Sequence, residues 1–165
     1  MEIKKPENFK DILKLQENLD NNINSVRDRT FEDIQMSLIA ECVEFNEETM
    51  LSHKTWKVKP YNKEKELEEL TDIYFFFAQL LNYLDDEKNK ELKYVICYSF
   101  DEQYISTNEP HLLKFIHYVY TEKLAIAMDE LNAITYQHNY TTQNILDCYW
   151  EKWQKNMKRI GNEWN

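Results

Sequence analysis

The 165-residue chain carries 20 basic and 30 acidic side chains, a formal charge of −10, so it lacks the excess of basic residues that nucleic-acid binding normally needs. It has no apolar run of membrane-spanning length and no secretory-type start, and its three cysteines are too widely spaced for a disulfide framework or a zinc site, so a cytoplasmic protein is expected. The single glycine, Gly161, excludes the glycine-rich loops that bind phosphates or dinucleotides and favours helices joined by polar connectors.

Two helices are predicted in the first third of the chain. The first begins at Pro6 and covers about 6–23, where apolar residues recur at helical spacing. The second covers about 31–51. Its start is marked by Thr30, with Asp33 three residues later, a pattern that resembles a capping box.

The rest of the chain is predicted to be helical as well. A third helix covers about 63–84 and becomes apolar on every side, which is typical of a buried helix. Residues 85–109 contain a β-like run, KYVICYSF, and are interpreted as a helical or irregular insertion. A fourth helix is predicted over 109–137 and a last one over 142–160. The predicted fold is therefore an all-α bundle of about five helices in one domain, 1–165.

Acidic residues recur at helical spacing on the second and third helices. Glu41, Glu44 and Glu48 share one face of the second helix, among apolar neighbours, and Glu69 and Asp72 form a similar pair on the third. Unpaired buried carboxylates are costly, so such residues must be protonated, paired or bound to metal. Carboxylates alone, without histidine, favour Mg²⁺ over a di-iron site. A solvated acidic helix face is the alternative, and the role of Glu48 stays open.

The acidic residues also carry a family resemblance. Glu41-Cys-Val-Glu44 followed by Glu69-Leu-Thr-Asp72 resembles the metal-binding pattern of the all-α nucleoside triphosphate pyrophosphatases. Three further stretches, ILKLQENLD, HKTWKVKP and YWEKWQKNMKRIGNEW, resemble motifs of the dimeric dUTPases. Taken in order, they are similar to a dimeric dUTPase of a phage or prophage kind.

The resemblance implies a reaction and a set of site residues. The reaction is the Mg²⁺-dependent hydrolysis of dUTP to dUMP and pyrophosphate, with about two or three ions held by Glu41, Glu44, Glu69 and Asp72. Glu44, or else Glu41, would orient or deprotonate the attacking water. A homodimer is expected, because the chain has more aromatic residues than a small interior needs. Seven residues are expected to bind the substrate: Gln16, Asp20, Trp56, Lys57, Lys152, Asn156 and Arg159.

Departures from the family pattern keep alternatives open. Ile160 stands where the family usually has glutamine, and Glu163-Trp164 where it ends in Gly-Tyr. Relatives of this fold accept dCTP as well as dUTP, so a related dCTPase or a MazG-like enzyme of broad specificity is an alternative function. A non-catalytic helical interaction protein, whose acidic residues are only surface charge, is the alternative from a different class.

Overall fold

The computed structural model describes residues 3–102 and 107–161, and in that part of the chain the regular secondary structure is all helical, with no strand. The seven helices are α1 (Phe9–Asn22), α2 (Phe31–Glu48), α3 (Lys63–Tyr83), α4 (Asp86–Phe100), α5 (His111–Tyr120), α6 (Leu124–Gln137) and α7 (Thr142–Arg159). The all-α prediction is confirmed, whereas the predicted count of about five helices is wrong. In these same residues, no helix has both the length and the apolar character needed to cross a membrane.

The segment predicted as one helix over 109–137 is divided by a tight turn. Glu122 has a left-handed φ of 59°, and the Lys123 N–H donates to the Tyr118 carbonyl oxygen at 2.9 Å. α5 and α6 then pack against each other. The turn contains neither glycine nor proline. Glu122 itself adopts the left-handed conformation that glycine usually takes. The sequence therefore shows no sign of the break, and the prediction of a single helix over 109–137 is wrong.

The insertion over 85–109 contains α4, and this is the second source of the miscount. The β-like run KYVICYSF forms the second half of that helix, with a kink earlier at Asn89. Ile96 and Phe100 are fully buried. They lie four residues apart and so share the helix face that packs on the core.

α3 is the central helix, and its neighbours bring the acidic residues together. It packs against α1, α2 and α7 and buries its second half almost completely, including Tyr74 and Phe77. α2 begins as predicted: Thr30 and Asp33 each accept a hydrogen bond from the other's backbone N–H. Because α2 and α3 lie side by side, their two acidic faces can meet.

Candidate metal and nucleotide site

Three carboxylates converge where α2 packs against α3. One carboxylate oxygen from each of Glu41, Glu69 and Asp72 lies within 4.8 Å of the other two. All three side chains are half-buried. Three acidic groups this close repel one another unless protons or cations intervene. A set of carboxylate oxygens is the donor type that hard divalent cations such as Mg²⁺ prefer, so these residues fit such an ion.

The electrostatics of this group favour the uptake of positive charge. Burial, reinforced by repulsion from Asp72, Glu44 and Glu69, raises the pKa of Glu41 to about 8. Burial likewise raises the pKa of Glu69 and that of Asp72 above their ordinary values, although the neighbouring lysine of α7 opposes this. At neutral pH the metal-free cluster therefore holds a proton that a divalent cation can replace.

The other two members of the predicted acidic face of α2, Glu44 and Glu48, take different positions. Glu44, one turn beyond Glu41, is exposed and lies outside the group of three. Glu48 is 8% exposed and accepts hydrogen bonds from Lys59 at 2.5 Å and Lys65 at 3.0 Å. Its carboxylate thus ties the connector after α2 to the first turn of α3.

Removing the Glu48 charge should therefore weaken the fold and leave metal binding intact. We expect Glu48→Gln to lower the free energy of unfolding by about 1–2 kcal/mol, because two lysines lose a largely buried partner and both are partly exposed. Urea unfolding with and without Mg²⁺ measures this. Glu47→Gln, which breaks a more exposed pair with Lys54, is the matched control and should lower the free energy of unfolding clearly less. A Glu48→Gln protein that no longer gained stability from Mg²⁺ would place Glu48 in the metal site instead.

α7 brings a lysine and an asparagine to the carboxylates. The Lys152 ammonium donates to Asp72 Oδ2 at 2.7 Å and to the Glu68 carbonyl oxygen at 3.3 Å. Asn156, one turn further along, lines a cavity together with Asp72. Arg159, the last residue of α7, is exposed and does not line that cavity.

The cavity beside the carboxylates has a volume of about 660 Å³, within the range of small-molecule sites. Its wall combines aromatic rings, amides and charged groups. It includes Gln16, Asp20, Arg27, Arg29, Asp72, Phe75, Phe76, Gln79 and Asn156. A strongly polar ligand with one flat apolar part would therefore match it.

At one end of the cavity, four side chains form a hydrogen-bonded cluster. Gln16 Nε2 and Gln79 Nε2 both donate to Asp20 Oδ1, at 2.9 and 2.7 Å. The Tyr149 hydroxyl donates to Gln16 Oε1 at 2.9 Å. Gln16 is thus held at both ends of its amide. Burial raises the pKa of Asp20, although the two amide hydrogen bonds favour its charged form.

The sequence of the chain matches a known protein family. A family model described as dUTPase matches residues 8–164, nearly the whole chain. The chain belongs to the dUTPase family. Its function is accordingly that of a dUTP pyrophosphatase, an enzyme that acts on a nucleotide substrate. Among curated proteins, none matches the chain at a significant level.

Two residues expected to bind dUTP lie away from the cavity. Trp56 is 75% exposed. Lys57 is also exposed and lines a separate pocket of about 220 Å³ with Lys54 and Lys59. The structure therefore brings the carboxylates, Gln16 and Asp20 together with Lys152 and Asn156 of α7, but it does not bring the Trp-Lys segment to them.

The structure describes only one of the two departures from the dUTPase closing motif. Ile160 directly follows α7 and packs, half-buried, against the core. An apolar side chain at that position is therefore part of the fold. Trp164 lies outside the described residues.

Sequence reasoning missed several residues of the dUTPase cavity, and four of them are informative. Phe76 and Gln79 lie four and seven residues after Asp72, on one face of α3. The signal was available: Gln79 is the one polar amide in the buried run IYFFFAQLL. Arg27 and Arg29 are two of the three arginines in an acidic chain and lie on the loop before α2. Arg27 is paired with Asp33, whereas Arg29 forms no ion pair among the described residues.

Proposed function

We propose that this dUTPase is Mg²⁺-dependent and cleaves dUTP to dUMP and pyrophosphate at the Glu41, Glu69 and Asp72 carboxylates. The observation that carries the proposal is the convergence of these groups beside a nucleotide-sized cavity. A triphosphate is strongly anionic and would be repelled by three carboxylates alone. About two or three Mg²⁺ ions, when bound, would neutralise phosphate charge and lower the pKa of a water molecule.

Some of the acidic residues would bind the cations, and another would orient or deprotonate the attacking water. Glu41, Glu69 and Asp72 supply the close carboxylate oxygens. Glu44 is favoured as the residue that orients or deprotonates the attacking water, because it lies one turn from the cluster and stays open to solvent. It would also complete the set of four metal ligands when cations draw it in.

The basic residues would hold the phosphates. Lys152 is paired with Asp72. Once cations neutralise Asp72, the ammonium group is available to the substrate. Asn156 lies between Lys152 and the end of α7 and can hydrogen-bond the sugar or a phosphate. Arg159 and Lys57 are included on the family resemblance. Arg29 is added because it lines the cavity without an ion-pair partner among the described residues.

Replacing Lys152 should therefore impair substrate use more than stability. We expect Lys152→Met to lower kcat/KM for dUTP by about a hundredfold, the usual scale for removing one charge-stabilising donor. Lys155→Met is the matched control: Lys155 is exposed on the same helix and forms no ion pair in the described residues. Steady-state pyrophosphate release measures both. Equal values for the two variants would remove Lys152 from the site.

The nucleoside would lie between the carboxylates and the Gln16–Asp20 end of the cavity, with Trp56 able to cover it if the connector closes.

A panel of dUTP, dCTP, dTTP and dATP, each with Mg²⁺ and with products identified, tests the proposed substrate. We expect dUTP to be used best and to give dUMP. A preference for dCTP would indicate a dCTPase, and similar rates on all four a MazG-like enzyme. Turnover of none would favour a helical interaction protein.

A homodimer is proposed from the exposed apolar side chains of two neighbouring helices. Met36 and Val43 lie seven residues apart on α2 and are 69% and 44% exposed. Leu113 and Tyr120, seven residues apart on α5, are 68% and 74% exposed. Apolar surface of this kind commonly marks an interface. Sedimentation at micromolar concentration tests the assembly. A cytoplasmic location and a phage or prophage origin stay predictions from sequence.

A further inference from the structure

The segment that joins α1 to α2 forms part of the cavity wall although it lies in solvent itself. Every residue from 24 to 30 is exposed. Five of these exposed residues nevertheless line the main cavity: Asn24, Ser25, Val26, Arg27 and Arg29. Residues 24–29 therefore form a strap that stands at the edge of the cavity and is not packed into the core.

Both ends of the strap are fixed, whereas its middle has few contacts. Ile23 is half-buried and packs against the core, and Thr30 caps α2 together with Asp33. Between these two points, the backbone N–H groups of residues 24–29 donate no hydrogen bond to another described residue. A segment with exposed side chains and so few hydrogen bonds can change position at low free-energy cost, as the lids of ligand sites do.

One ion pair links the strap to the helix that follows it. Arg27 Nη1 and Nη2 donate to the two carboxylate oxygens of Asp33, at 2.5 and 2.7 Å. A guanidinium that binds both oxygens of a carboxylate is fixed in direction as well as in distance. Arg27 and Asp33 both line the cavity. The pair therefore keeps the second half of the strap beside the cavity and leaves the preceding residue, Val26, able to move over it.

Two side chains of the strap would gain contacts if it closed on a ligand. Val26 lines the cavity but is fully exposed, and an apolar side chain is stabilised when a ligand removes it from water. Arg29 lines the cavity as a cation without an ion-pair partner among the described residues. A ligand shifts such an equilibrium only if it binds the closed form better, and an anionic ligand with an apolar part does so here.

We propose that the strap is a lid that closes over the nucleoside half of a bound nucleotide. Val26 makes the contact, and the Arg27–Asp33 pair is the anchor on which the strap turns. Ser25 and Arg29 also line a smaller pocket with Asp20, which places the strap at the Asp20 end of the main cavity. This inference rests on the proposed binding of dUTP with its phosphates at the carboxylates and its nucleoside at that end.

Amide hydrogen exchange of the full chain, followed by mass spectrometry, measures the closure. The ligand is the α,β-imido analogue of dUTP with Mg²⁺, which resists cleavage because nitrogen replaces the bridging oxygen. We expect the exchange of residues 24–29 to slow by about tenfold or more at saturation, because the closed strap is shielded from water. Inorganic triphosphate with Mg²⁺ is the matched control ligand. It has no nucleoside, so it should change the exchange of the strap by less than about twofold.

Val26→Ser tests the contact itself. We expect the KM for dUTP to rise by about tenfold, the scale for losing methyl groups from an apolar contact. The melting temperature should stay at the wild-type value, because the Val26 side chain is fully exposed in the free protein. Val95→Ser is the matched control, since Val95 is an exposed valine of α4 that does not line the main cavity. Its KM should equal that of the wild type.

Calorimetric binding of the analogue separates this inference from the proposed function. If the analogue binds but the exchange of residues 24–29 changes by less than about twofold, the strap is not a lid, although the proposed function stands. Equal slowing by inorganic triphosphate, or an unchanged KM in Val26→Ser, would also overturn the inference, because neither fits a contact between Val26 and the nucleoside. If the analogue does not bind and dUTP is not cleaved, the proposed function fails and the inference fails with it.

Discussion

Glu41→Gln is expected to make the metal-free protein more stable and at the same time to slow turnover about a thousandfold. The pKa of Glu41 is raised from an ordinary value of 4.5 to about 8 by burial and by its acidic neighbours. The folded state therefore binds this proton more tightly than the unfolded state. Stability that is fully present below pH 4.5 is lost as pH rises toward 8. Glutamine carries no charge and avoids this loss, so we expect a gain of about 1 kcal/mol at pH 9 in EDTA.

With Mg²⁺ present, the wild type should become more stable than Glu41→Gln. An ion that binds only the folded wild type adds about 2.7 kcal/mol at a hundred times its dissociation constant, and the variant gains little. Pyrophosphate release by Glu41→Gln should fall by about a thousandfold, because the ion neutralising the phosphates loses a ligand.

Thermal unfolding at pH 9, in EDTA and in Mg²⁺, measures the stability effects. Glu64→Gln is the matched control, since Glu64 is an exposed acidic residue in the first turn of α3. It should leave both the Mg²⁺ gain and the activity near their wild-type values. A Glu41→Gln protein with an undiminished Mg²⁺ gain would show that the ion binds elsewhere.

The second large effect concerns pH. Protons and Mg²⁺ compete for the same carboxylates, so the apparent affinity for Mg²⁺ should rise about tenfold per pH unit between pH 6 and pH 8. Above the Glu41 pKa of about 8 the rise should level off, because no proton is left to displace there. Near pH 6.5, binding of the ion should release roughly one proton.

Titration calorimetry in two buffers with different ionisation enthalpies counts the released protons. Glu48→Gln is a useful control, because Glu48 is paired with lysines outside the cluster, and its loss should leave the proton count unchanged. Binding near pH 6.5 that releases no proton would mean that the three carboxylates are already ionised, or that they do not hold the ion.

The helices that carry the site were predictable because their signals are local. The Thr30 and Asp33 pair marks the start of α2, and the spacing of apolar and acidic residues predicts α2 and α3 to within three residues of their observed ends. The break at Glu122 was not predictable, because a non-glycine residue in the left-handed region leaves no mark in the pattern.

In the site, too, the residues with local signals were predictable and those that depend on distant partners were not. Spacing alone placed Glu41, Glu69 and Asp72 on faces that can meet, and the structure brings them together. The same rule grouped Glu48 with them, but its partners Lys59 and Lys65 come from later in the chain and draw it away. Gln79 was overlooked for a similar reason, since its meaning depends on a hydrogen bond to Asp20, 59 residues earlier.

The central claim is that the α2 and α3 carboxylates make dUTP hydrolysis depend on a divalent cation, and pyrophosphate release tests it most directly. The metal-stripped protein is given dUTP in EDTA, then an excess of Mg²⁺. We predict no release above background in EDTA and full release, with dUMP as the other product, once Mg²⁺ is added. Release in EDTA equal to that in Mg²⁺, or none in either, would contradict the claim.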